Sequence, residues 1–184
     1  MDSRQDLTKE LLAGCFKELM LTKPFEKITI KNITDKAGLI RPTYYKHFQD
    51  KYELLEWIFL NEIGHQAELL VDNDMAGEAL LLICKGLDRD RAYYKKAIKI
   101  TGPNSFQEVL SDFIYKTFLK IIKNHVDSGS FKGYATPERA ARFYMHGIVN
   151  SLADWLSDPE ACKPEDFCQY YRFLVLNISE HFKQ

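Results

Sequence analysis

The chain has 184 residues, 46% of them hydrophobic and 28% charged, and its 25 basic and 26 acidic side chains leave a net charge of -1. That apolar fraction excludes a disordered polyelectrolyte, and 9 Gly with 6 Pro exclude a collagen-like or low-complexity chain. No uncharged apolar run reaches the roughly 18 residues that a membrane-spanning helix needs. The opening segment MDSRQDLTKE alternates charges and lacks an apolar signal core, so the expectation is a cytoplasmic protein with no membrane partner. The four cysteines, Cys15, Cys84, Cys162 and Cys168, share no CxxC spacing, and no histidine stands beside a cysteine pair. They are expected to stay reduced and to pack as small apolar side chains, with no metal site and no cofactor.

Apolar residues recur at three and four, the helical period, from end to end. Leu7, Leu11 and Cys15 run beside Leu12, Phe16 and Leu19, which predicts one buried face on a first helix. Phe25 to Ile30 alternates only briefly and reads as a loop feeding the next helix. Thr29 to Gly38 is a short helix with a threonine at its start and a glycine at its end, where a left-handed turn is needed. A second short helix follows at Arg41 to Phe48. Tyr44 and Phe48, four apart, share its buried side, which turns Thr43, Lys46 and His47 outward and leaves Arg41 and Pro42 at the exposed start.

Asp50 with Glu53 is a capping-box spacing that opens a longer helix through Leu54, Leu55, Ile58, Phe59 and Ile63. Helices are predicted over Met75–Leu87 and Arg91–Ile100, and Ser105 with Glu108 opens another. Asp127 to Tyr134 is a surface loop. Thr136-Pro137 starts a helix that runs to about Ser157, and Pro164 starts a last one reaching Phe182. The fold class is all-α.

Charge is distributed unevenly. Between Lys23 and Lys51 stand seven cations and three acids, an excess of four positive charges in a chain whose total is -1. A local positive field attracts phosphate. A first helix, a glycine-containing turn and a second short helix together form the helix-turn-helix plan, whose second helix enters the DNA major groove.

The run Ala37-Gly38-Leu39-Ile40-Arg41-Pro42-Thr43-Tyr44-Tyr45-Lys46-His47-Phe48-Gln49-Asp50-Lys51 resembles the helix-turn-helix signature of the TetR/AcrR regulators. The turn, aromatic, histidine and lysine positions all fall in register, over roughly the first third of the chain. The resemblance implies a DNA-binding domain over residues 1–50 and a helical regulatory and dimerisation domain over 51–184. It places Thr29, Lys31 and Lys51 on phosphates, Arg41, Pro42 and Thr43 toward base edges, and Tyr45, Lys46 and His47 on backbone or bases. The family usually has Ser or Thr where this chain has Ile40, so its recognition helix starts without a side-chain cap.

Further along, Tyr93 to Gly102 with Asn104-Ser105-Phe106 resembles the branch containing the dihydroxyacetone-kinase-operon regulators, some of which act through a partner protein. The resemblance implies a homodimer through the last two helices, where Ala140, Ala141, Gly147, Ser151 and Ala153 allow close approach. The same residues would also suit an intramolecular core. Tyr93, Tyr115, Tyr144, His146 and Asn150 are candidates to line an effector cavity, although buried hydrogen-bonded side chains of these types equally suit a core. No phosphate loop, GxSxG elbow or HExxH motif points to an enzyme. The expectation is a homodimeric repressor on a near-palindromic double-stranded operator, its binding altered by a small molecule or a protein co-regulator. The alternative is a co-activator or helical adaptor acting mainly through a protein partner.

Overall fold

The computed structural model describes residues 3–181, and among these it contains helices and turns but no strand. None of the described helices is long and apolar enough to cross a membrane. Phe182, the expected end of the last helix, lies outside the described residues. By packing, the chain forms two compact units: residues up to Asn61 together with Ala92–Leu110, and Glu62–Arg91 together with Ser111 onward. This partition by packing differs from the partition by motif at residue 50.

The first unit holds α1 (Ser3–Thr22), α2 (Ile30–Ala37), α3 (Arg41–Tyr45) and α4 (Lys51–Phe59), with most of α7 (Arg91–Ala97) and the start of α8 (Phe106–His125). Only one of the two ridges expected on α1 is buried. Leu12, Phe16 and Leu19 lie in the core, whereas Leu7 and Leu11 are exposed. Cys15, on the same ridge as Leu7 and Leu11, is half-buried. Phe16 makes edge contacts with Phe25 at 6.3 Å and Tyr93 at 6.4 Å, and Phe59 and Tyr94 both pack on Phe106. Edge-to-face pairs at such separations add about 0.5–1.5 kcal/mol beyond area burial. The segment after α1 is a short 3-10 turn, Phe25–Lys27, with Phe25 and Ile28 anchored in the core.

From Lys51 to Asp72 the helix has no turn or loop, but Leu60–Gly64 is a π segment between α4 and α5 (His65–Asp72). The buried residues Leu55, Phe59, Ile63, Ala67 and Val71 follow one another at four-residue steps. In an α-helix each such step overshoots a full turn by about 40°, and a wider π turn takes up part of that drift.

The second unit comprises α5, α6 (Ala76–Arg89), the rest of α8, α9 (Pro137–Ser157) and α10 (Pro164–His181). Thr136 Oγ1 accepts the Arg139 N–H at 3.2 Å, so the expected cap forms, and α9 ends at Ser157 before Pro159. α6 lies against α5, with Gly86 so close to Ile63 that a β-carbon there would fall 2.5 Å from it. Trp155 anchors α9: its ring lies 5.3 Å from Phe167, its Nε1 donates to Cys162 O at 2.8 Å, and the Arg91 guanidinium sits over it at 4.5 Å.

Candidate nucleic-acid interface

Residues 29–51 form a frame built by local hydrogen bonds. Thr29 Oγ1 accepts the Asn32 N–H and Asn32 Oδ1 accepts the Thr29 N–H, both at 3.1 Å, a reciprocal capping box that starts α2. Gly38 closes α2 at φ 66°, and Leu39 N then donates back to Thr34 O at 2.9 Å. A side chain at that backbone angle would be strained, which is why glycine stands at the turn.

α3 is shorter than its pattern predicts, ending at Tyr45 rather than Phe48. The His47 and Phe48 amides both donate to Tyr44 O, so the chain tightens into a turn. Asp50 then adopts an extended backbone to cap α4, its Oδ1 accepting from Tyr52 N and Glu53 N. Ile40 precedes α3 with no side-chain cap, as its chemistry requires. In place of a cap, α3 has Pro42 within its first turn and a deep anchor in Tyr44. Tyr44 is fully buried, packs on Phe48 at 5.7 Å, and donates its hydroxyl to Asp50 O at 2.8 Å. Burial pushes the phenol well above its ordinary value, reinforced by the Asp50 and Glu53 charges, so it stays a donor.

With Tyr44 and Phe48 inward, Arg41, Pro42, Tyr45 and Lys46 are exposed, and Thr43 and His47 are half-buried. Tyr45 is 57% exposed, its ring edge-on to Tyr44 at 5.8 Å. Thr29 and Lys31 are exposed at the start of α2. Lys31 pairs with Asp35 at 3.1 Å, and Lys36 pairs with Glu18 at 2.6 Å. Both pairs sit in water and hold their cations weakly.

Lys51, expected on a phosphate, has its ammonium engaged within the protein. Its ammonium donates to Phe25 O at 2.7 Å and Ile28 O at 3.0 Å, and lies 4.1 Å from the centre of the Phe25 ring. Partial burial draws its pKa below the ordinary lysine value, opposed by Glu26 and Asp50. The ammonium therefore ties the loop before α2 to the start of α4. Lys51→Met should leave both carbonyls without this donor and cost about 1–3 kcal/mol. Urea denaturation of the variant measures that loss. An unchanged midpoint would show that water replaces the ammonium at no cost.

The second unit contains a cavity of about 630 Å³, within the range of small-molecule sites. Its walls are largely apolar, from Val71, Ile83, Phe113, Phe118 and Ile148, and α10 contributes Cys168. None of the five expected cavity residues lines it. Tyr93 is buried in the other unit against Phe16 and Tyr94. Tyr144 stacks on Phe118 at 5.1 Å and Tyr115 is half-buried, while His146 and Asn150 are exposed. The lining of this cavity is not legible in the sequence because cavity walls come from the pairing of distant helices, and the residues here are ordinary apolar positions in each.

Residues 17–58 match the family model for bacterial regulatory proteins of the tetR family, and residues 75–176 match a model for a transcriptional regulator C-terminal region of the TetR type. Over 97 residues the chain is 37% identical to the HTH-type dhaKLM operon transcriptional activator DhaS of Lactococcus lactis subsp. lactis (strain IL1403). The match covers 51% of this chain and 50% of the relative, so the chain spans about half the length of the curated relative it matches. Among solved structures, a dihydroxyacetone kinase operon activator DhaS superposes with a TM-score of 0.64 at 22% identity, covering 94% of this chain and 96% of that one. A TetR transcriptional regulator from Streptococcus agalactiae 2603V superposes with a TM-score of 0.68 at 19% identity, covering 95% and 96%. At these identities the superpositions speak for the fold, while the two family models cover the helix-turn-helix and most of the remaining chain. The chain belongs to the TetR family of bacterial transcriptional regulators.

Proposed function

We propose that this regulator binds a near-palindromic operator as a homodimer, each protomer presenting α3 to the major groove. The observation that carries this reading is the division of α3 into a fully buried Tyr44 and an exposed set of Arg41, Pro42, Tyr45 and Lys46. Among the described residues, no acidic partner lies within ion-pair distance of Arg41 or Lys46, so both are available to phosphate or base edges. Thr29, Lys31, Thr43 and His47 complete the proposed face, and Lys51 supports it from behind.

The dimer is supported by exposed aromatics on the last two helices: Phe143 at 75%, Tyr170 at 62% and Phe173 at 59%. Large exposed apolar side chains gathered on an element mark an interaction surface. A two-fold pair would set the reading heads one helical turn of DNA apart, about 34–36 Å. Occupation of the cavity in the second unit, by a small molecule of largely apolar surface, would alter that spacing and so the affinity. Helix shifts of about 1–2 Å are enough for such a switch. Repression follows where the operator overlaps a promoter. Activation is the second reading, favoured by the name of the curated relative, an operon activator. Such a member would work in the cytoplasm, and a protein co-regulator could occupy the role of the small molecule.

Selection of genomic fragments by the purified chain tests the reading, with the Arg41→Ala, Tyr45→Ala double variant in parallel. Recovery of one short palindrome by the wild type alone is the expected result. Equal recovery by the variant, or none by either, would transfer function to protein partners of the second unit.

A further inference from the structure

Cys84 of α6 and Cys168 of α10 are 84 residues apart in the chain, yet their sulfurs stand 3.6 Å apart in the second unit. Cys84 is fully buried, whereas Cys168 is half-buried and lines the cavity. The inner thiol is therefore covered by protein, and the outer one meets whatever enters. Neither is crowded by a metal-ligating cluster, and none is found among the described residues. The α6 and α10 helices are further tied by Lys85 and Glu165, 2.8 Å apart.

We propose that Cys84 and Cys168 form an oxidation site, at which peroxide entering the cavity oxidises the two thiols to an intramolecular disulfide. The Cys168 thiolate attacks one oxygen of hydrogen peroxide, the O–O bond breaks, and the leaving hydroxide takes a proton to become water. Cys168 is then a sulfenic acid. The Cys84 sulfur displaces the hydroxyl from the Cys168 sulfur, loses its own proton, and a second water departs. Two thiols are oxidised by two electrons and one peroxide is reduced to two waters.

The order of events follows from the surroundings. The hydrogen-bonded contact with Cys84 holds the Cys168 thiol below its ordinary value, against the opposing effects of burial and of the Glu165 carboxylate, with a smaller favourable charge from Lys85. The same contact and burial push Cys84 upward, so it waits as the resolving group. Closing the bond requires the sulfurs to approach from 3.6 Å to about 2.05 Å. The resulting link would tie α10 to α6 across the wall of the cavity. This site goes beyond operator binding and stands whether or not that reading holds.

The full chain, reduced and then treated with hydrogen peroxide, is followed by thiol titration and peptide mapping. Two of the four thiols should disappear, with a Cys84–Cys168 linked peptide and no linked protomers. A Cys15→Ser, Cys162→Ser variant should behave identically. Cys84→Ser should accumulate a sulfenic acid at Cys168 that dimedone traps, and Cys168→Ser should leave Cys84 unmodified. The proposal is overturned if thiol loss is carried by the exposed Cys162, if Cys168 passes to sulfinic acid without linking, or if Cys84 reacts as fast in Cys168→Ser. Far-ultraviolet circular dichroism of each variant confirms that the same fold is compared. A variant that loses its helices is replaced by the alanine version at the same position.

Discussion

Tyr44→Ala should unfold the reading head at a denaturant concentration well below that of the wild type, with a loss of about 3–5 kcal/mol. The side chain is fully buried against Phe48 and Tyr45, so truncation opens a cavity in the core of the helix-turn-helix. Native proteins are stable by only about 5–15 kcal/mol, so a loss of this size removes a large fraction of a total near the lower end of that range. Tyr44→Phe keeps the ring and removes only the hydroxyl that reaches Asp50 O. It should cost about 1 kcal/mol, and comparison of the two variants by urea denaturation separates packing from hydrogen bonding. Equal losses would mean that the hydroxyl, through its hold on the start of α4, carries most of the effect.

The second large effect is on DNA. Arg41→Ala should weaken operator binding by about 1–3 kcal/mol, with the loss concentrated at one base-pair position if the guanidinium reads a guanine edge. Lys46→Ala should weaken all sequences alike and lower the slope of log affinity against log salt by about 0.9 per protomer, the signature of one lost phosphate contact. Binding isotherms on the selected operator and on a scrambled duplex, across a salt series, measure both. Unchanged slope and unchanged affinity would mean that the outward side of α3 is not the DNA face. Neither residue is buried, so any loss reports on DNA rather than on folding.

Local features of the helix-turn-helix are readable from the sequence because their causes are local. Thr29 and Gly38 delimit α2 by capping and by a left-handed backbone, both decided within a few residues. Asp50 and Thr136 open α4 and α9 for the same reason. The early end of α3 is less visible, since it depends on two amides sharing the Tyr44 carbonyl. The exposed Leu7 and Leu11 show the limit of periodicity, which finds apolar ridges but not which ridge acquires a neighbour. Lys51 shows a similar limit for charge, because its ammonium serves carbonyls contributed by residues more than twenty positions earlier. The five expected residues do not line the cavity of the second unit, because a cavity belongs to the pairing of helices, which no single helix encodes. The thiol pair was hidden for the same reason: Cys84 and Cys168 each look like a small core residue until α6 meets α10.

The shortness of α3 bears on how this family member changes over generations. Five residues make little more than one helical turn, too short to persist on its own strength. Its shape is held from below by Tyr44, Phe48 and the Asp50 carbonyl. Substitutions at exposed positions away from such anchors usually alter stability by about 0.5 kcal/mol or less. Arg41 and Lys46 can therefore drift while the scaffold stays constant, and on the proposed reading of α3 a lineage can acquire a new target sequence without passing through an unstable intermediate.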